Sequence, residues 1–247
     1  MRWYAPYVAA ALLALTSGCT RSGGLASYWD SAQIPVTQSG YAPEADRFAA
    51  FAELAVQAPE EEWQASLDRL FSLLGSDEVS FYIYEEWIES AFYNILSPCR
   101  SARIFDYAAS RILSDGTLTD RLDAVAALRR YNSLNLPGSP LTLPPLQGSP
   151  DIPGGQACTI LVVDPSCRTC TASLSTLAGG AGRHIAVCVG PSPAPDVPGW
   201  EYYRSPSAAS VFDTQAAPFW FATDSLGIVT VPYSPVPEPS FAKPSGP

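Results

Sequence analysis

Apolar residues in the first half of the chain recur at intervals of three and four. In "PEEEWQASLDRLFSLLG" the positions Trp63, Leu67, Leu70, Phe71 and Leu74 fall on one stripe, which predicts an amphipathic helix. Glu60 to Glu62 crowd its start, where the helix dipole favours negative charge, and Gly75 marks its stop. "DEVSFYIYEEWIESAFYNIL" repeats the pattern with Val79, Ile83, Trp87, Ala91 and Ile95, ended by Ser97-Pro98. "RSARIFDYAASRILS" and "LTDRLDAVAALRRYNSLN" supply two more helices, the second with only weak capping signals at Thr119 and Asp120. From about Ala42 to Leu136 the expectation is an all-α bundle of about five helices.

The grammar then changes. "LPGSPLTLPPLQGSPDIPGG" is too rich in proline and glycine for helix, so a boundary falls near Leu136. Beyond it come short β-type runs, "CTILVV" (158–163), "HIAVCVG" (184–190), "FWFAT" (219–223) and "IVTV" (228–231). The last two are joined by the hairpin turn signal "DSLG", and "TASLSTLAGG" between the first two is a brief helix. Strand, helix, strand and hairpin outline a small α/β sheet. "PYSPVPEPSFAKPSGP" cannot form a closing helix.

Composition narrows the class. Of 247 residues, 47% are hydrophobic and 15% charged, ample material for a core and no case for wholesale disorder. The formal charge is −10 and the basic residues are scattered, which argues against nucleic-acid binding. The start "MRWYAPYVAAALLALTSGC" has one positive charge, an apolar run too short to span a bilayer, then small residues before cysteine. "LTSGC" resembles a bacterial lipobox, which implies cleavage before Cys19 and acylation of its thiol; the alternative is an ordinary signal peptide with a coincidental cysteine. Either places the mature protein outside the cytoplasm, where disulfides persist. The resulting division is 1–18 signal peptide, 19–41 anchor and polar tether, 42–136 helical domain, 137–233 α/β domain and 234–247 proline-rich tail.

With Cys19 set aside, five cysteines remain: Cys99, Cys158, Cys167, Cys170 and Cys188. Cys167 and Cys170 form a C-x-x-C directly after a strand and at the opening of a helix. Unpaired amides of the first turn and the helix dipole there stabilise a thiolate, the species that attacks disulfides. Cys170, one turn inside, can resolve the mixed disulfide. Arg168 adds a positive charge that pushes Cys167 the same way, while Asp164 pushes against it. Pro218 stands just before a hairpin strand, the place where thioredoxin-like proteins keep a cis-proline facing such a pair; that likeness implies that the backbone of Ala217 is available to an extended substrate.

These residues carry a resemblance. Residues 141–231 look like a thioredoxin-like domain, and "VVDPSCRTC" is similar to the motif of thioredoxin-like lipoproteins of the Bacteroidetes, which also carry an N-terminal helical domain of unknown function. "SYWD", "ILSPCRSARIF" and "NLPGSPLTLPPLQG" resemble further segments of that family. The resemblance implies an extracytoplasmic thiol–disulfide oxidoreductase in the cell envelope, anchored to the membrane by lipid. Its partners would be protein thiol or disulfide substrates and an electron-donor protein, and it needs no cofactor. Two departures stand out: Leu161 occupies the position of thioredoxin's buried acid, and "PSPAPDVPGWEYYRSPSAASVFDTQ" is too proline-rich for a full helix.

Other readings compete. Four thiolates from Cys158, Cys167, Cys170 and Cys188 could hold zinc, although only one C-x-x-C unit exists. A non-enzymatic binding or assembly lipoprotein on a redox-degenerate scaffold is the runner-up. If their strands run parallel, Cys158 and Cys188 lie at different heights and do not pair. His184 reads as a surface residue, Glu85-Glu86 as a solvated pair, and Phe81, Tyr82, Tyr84, Trp87, Phe92 and Tyr93 as core packing rather than a sugar-binding face.

Overall fold

A computed structural model describes residues 25–237, apart from 33, 149, 180 and 181. Cys19, the signal segment and the end of the tail lie outside the described residues. Five α-helices come first: α1 (Tyr41–Ala55), α2 (Glu60–Leu74), α3 (Glu78–Ile88), α4 (Ala102–Asp115) and α5 (Leu122–Ser133). A 3-10 helix, Leu25–Ser31, precedes them, and a π-turn, Glu89–Tyr93, continues α3. α2 stops where expected, because Gly75 takes a positive φ of 52° that a side chain would strain. Asp77 and Ser101 cap α3 and α4 by accepting hydrogen bonds from Ser80 N–H and Ile104 N–H.

Two expectations about this half are corrected. The segment read as a polar tether contributes Trp29, which is fully buried in the bundle and packs against Phe51 at 4.9 Å and Tyr84 at 5.8 Å between ring centroids. The buried stripe of α3 is also rotated. Phe81, Tyr84 and Ile88 face the core, followed by Phe92 of the π-turn, while Val79 is 65% exposed. Both stripes satisfy helical spacing, and the aromatic one wins because each ring removes more apolar area from water. That rotation carries Glu85 inside as well, where it is 3% exposed and not solvated. Arg121 of the α4–α5 connection donates to both of its oxygens at 2.9 and 3.0 Å.

The second half is a five-stranded sheet in the order β3-β2-β1-β4-β5, formed by β1 (Cys158–Val163), β2 (Arg183–Cys188), β3 (Glu201–Arg204), β4 (Phe219–Thr223) and β5 (Val229–Pro235). β1, β2 and β3 run parallel; β4 is antiparallel to β1 and β5 to β4. β3, which the proline content concealed, fills the sheet edge, and β5 runs two residues past the expected limit of the domain.

One face of the sheet is covered by α6 (Arg168–Leu177), which closes a core of Leu161, Val163, Leu174, Ala186 and Trp200. The core on the other face is closed differently. Leu141, Leu143 and Leu146 of the linker cover it together with Ala208 of a 3-10 turn, Ala208–Ser210, and Phe212 just after that turn. The architecture is therefore a helical domain followed by a trimmed α/β domain, as the sequence pattern predicts.

Candidate redox site

β1 ends at Val163, and four residues later Cys167 occupies the N-cap of α6. The intervening turn is fixed by Asp164, whose Oδ1 accepts from Ser166 N–H at 2.8 Å and from the Ser166 hydroxyl at 2.7 Å. These bonds hold its carboxyl below the usual carboxylate range. The Asp164 carbonyl accepts Cys167 N–H at 3.0 Å. Cys167 thus enters the helix with extended backbone, and its Sγ accepts Cys170 N–H at 3.3 Å. Sulfur here occupies the place that a serine or aspartate oxygen fills at an ordinary N-cap.

The two thiols are driven apart. At Cys167 burial pushes the thiol up, but hydrogen bonding from Cys170 and Thr169 outweighs it and the net shift is downward. At Cys170 burial comes first, followed by the proton shared with Cys167, and the thiol is pushed up to about 12. Cys167 is partly accessible; Cys170 is buried on the inner side of α6. The arrangement offers one thiolate to a partner while a second thiol waits, protonated, one turn behind it.

The electrostatics differ from expectation in two ways. Arg168 is exposed on the first residue of α6 and is not what lowers Cys167; hydrogen bonds from the Cys170 thiol, then from the Cys170 amide and from Thr169, do that. Asp164 acts on Cys170 rather than on Cys167: hydrogen bonding to its backbone lowers that thiol, and its charge, the smaller effect, raises it. Thr169, which the sequence reading passed over, is a donor to the Cys167 sulfur, and its position inside the C-x-x-C was the available signal.

The Ala217–Pro218 peptide bond is cis. Val162 pairs with Phe219, so Pro218 comes one step beyond that pair, beside the end of β1 that leads to Cys167. Side chains alternate along a strand, and Trp220 packs in the cluster that includes Cys167 and Cys170. Alternation puts Pro218 on that same α6 face. Ala217, with φ −60° and ψ 140°, links Pro218 to the short 3-10 turn Thr214–Ala216.

The remaining cysteines stay apart from this site. Cys158 pairs in register with Arg183, and Cys188 with Val163, at opposite ends of adjacent parallel strands. They therefore cannot bridge, nor can four thiolates converge on one ion. Among the described residues no cluster of metal-ligating side chains occurs. Cys99 is buried and free. His184, expected at the surface, is buried on the α6 face with its ring 5.2 Å from that of Trp200. Leu161 is buried under α6, so no carboxylate stands at that position behind the resolving thiol.

A sheet of this order with a C-x-x-C at the N-cap of its covering helix and a cis-proline beside it defines a thioredoxin-like domain. The chain is similar to a thioredoxin-like protein from Bacteroides caccae ATCC 43185, known from a crystal structure. The two superpose with a TM-score of 0.65 over 86% of this chain and 87% of that one, at 13% identity. At that identity the likeness shows the fold, including a helical region before the sheet. No protein-family model matches the sequence, and neither does any curated protein.

Proposed function

We propose that this protein is a thiol–disulfide oxidoreductase of the cell envelope, acting on protein disulfides through Cys167 and Cys170. The Cys167 thiolate attacks one sulfur of the substrate disulfide, forms a mixed disulfide and expels the other sulfur as a thiolate, which takes up a proton. Cys170 then loses its proton to solvent and attacks Cys167 Sγ. The second substrate thiolate leaves, and a Cys167–Cys170 disulfide remains. Two electrons pass to the substrate, and a thiol-bearing donor protein restores the reduced pair; the reverse sequence oxidises a dithiol. Ala217 and Pro218 would line the docking strip for substrate backbone, and Arg168 would sit at its rim. Acylation of Cys19 would tether the protein to a membrane, in the manner of the Bacteroidetes lipoproteins it resembles.

One observation carries this reading. The partly accessible sulfur is the one held low by hydrogen-bond donors, and its buried neighbour is the one held high. An insulin-reduction assay tests it: Cys167→Ser should lose all turnover, and equal rates in variant and unaltered protein would end the proposal. Cys170→Ser should retain substrates covalently on Cys167. The runner-up, a non-enzymatic binding lipoprotein on the same scaffold, draws support from Leu161, because a resolving thiol without a carboxylate relay turns over slowly. Failure to trap any substrate would favour it.

A further inference from the structure

The helical domain touches the α/β domain at the segment that carries Pro218. Tyr93 ends the π-turn, where Asn94 N–H bonds to the Glu89 carbonyl five residues back at 2.9 Å. π-turns insert one extra residue per turn and often occur at functional places. From here the Tyr93 phenol donates to Asp213 Oδ2 at 3.2 Å across the domain boundary. The other Asp213 oxygen, Oδ1, accepts Gln215 N–H at 3.1 Å, and its carbonyl accepts Ala216 N–H at 3.1 Å. Asp213 is thus the N-cap of the 3-10 turn that delivers Ala217 and the cis bond to Pro218.

A second grip holds the other side. Arg100, from the "SPCR" segment after the π-turn, stands over the ring of Tyr233 at 5.1 Å, and Tyr93 lies 6.4 Å from the same ring. Tyr233 in turn packs at 4.4 Å on Phe219, the buried residue that follows Pro218. The residues flanking the cis bond on both sides are therefore anchored, through one intermediary each, to the helical domain. The cavity lined by Tyr93, Tyr131, Asp213, Phe219 and Tyr233 measures about 10 Å³. That is roughly room for one water, so this junction is a clamp and not a ligand pocket.

We propose that the helical domain is a built-in positioning element of the redox site: Tyr93, through Asp213, and Arg100, through Tyr233, hold the Asp213–Phe219 segment in place for substrate docking. The proposal rests on the oxidoreductase reading for its kinetic consequence, but the mechanical link can be measured separately. Tyr93 and Arg100 are positioning residues and do not touch the sulfurs.

Tyr93→Phe in the full chain removes one oxygen and leaves the ring packing. Amide hydrogen exchange at Gln215 and Ala216 should quicken by about fivefold, the scale of one lost hydrogen bond. Amides of β1 and the alkylation rate of Cys167 should not change. With a protein disulfide as substrate KM should rise by a similar factor while kcat holds. Asp213→Ala, which also removes the bond to Gln215 N–H, should produce larger changes in the same direction, Asp213→Asn should recover part of them, and the Tyr93→Phe, Asp213→Ala pair should be no worse than Asp213→Ala alone. Unchanged exchange at 215 and 216, or additive effects in the pair, would overturn the link. Quickened exchange with unchanged KM in an enzyme that depends on Cys167 would overturn the docking role. Quickened exchange in a protein with no turnover dependent on Cys167 would uphold the link and refute the oxidoreductase reading instead.

Discussion

At the Cys167 sulfur two opposing effects are set against each other, and hydrogen-bond donors, the Cys170 thiol first among them, win over burial. The consequence is a sign that can be measured. Alkylation by iodoacetamide should accelerate through a midpoint below that of an ordinary thiol, and Cys167→Ser should remove that phase. Cys170 should stay unreactive in the folded protein over the same range, because its thiol is pushed up to about 12. The linkage follows with opposite signs for the two groups. A depressed Cys167 adds stability that is present above the thiol's unfolded value and is lost as pH falls through its folded value. A raised Cys170 adds stability below the unfolded value and loses it as pH climbs beyond. Urea unfolding of Cys167→Ser and Cys170→Ser should therefore bend in opposite directions with pH on the alkaline side. A parallel pH dependence in the two variants would contradict the assignment of donor and buried thiol.

Among the elements, α3 and its surroundings show what hydrophobic patterning carries and what it omits. The helix itself was legible from spacing alone, but two stripes fit that spacing, and only the size of the aromatic rings selects Phe81, Tyr84 and Ile88 over Val79 and Ile83. With the correct face, Glu85 goes inside and must find Arg121. Arg121→Ala should cost about 3–5 kcal/mol in urea denaturation, because it breaks a buried ion pair by removing one partner. A loss near zero would mean that water reaches Glu85.

Trp29 gives a second test. It lies in a short 3-10 helix too brief to show periodicity, so only a lone tryptophan in "SYWD" marked it. Trp29→Ala should cost about 3–5 kcal/mol, the range for a buried aromatic. The strand β3 was hidden for another reason. "EYYR" is short and follows a proline-rich stretch, and its four residues are all half-buried at an edge, so no alternation betrays it. By contrast β1, β2, β4 and α6, with the C-x-x-C and Pro218, were readable because local chemistry and tertiary position agree there.

For the molecule as a whole, the linker joins the two halves instead of separating them. Gly138 N–H donates to the Val229 carbonyl at 2.9 Å, and Val229 N–H to the Ser139 carbonyl at 2.9 Å, so the supposed boundary lies along the outer edge of β5. Leu141 N–H continues this to Gly227 at 2.8 Å, and Ile95 from the helical half packs into the sheet's lower core. Tyr131 adds a bond from α5 to the Ala209 carbonyl at 2.7 Å. On that face the sheet relies on the linker and on the helical domain to keep its apolar side from water. Unfolding of one half should then expose the core of the other. Heating followed by circular dichroism of the helices and by alkylation of buried Cys170 should give the same midpoint, as for one cooperative unit. Arg100→Ala should lower both midpoints together. Two separated midpoints in the unaltered protein would show that the halves fold independently, and the clamp on the Pro218 segment would then have too little stiffness to set substrate affinity.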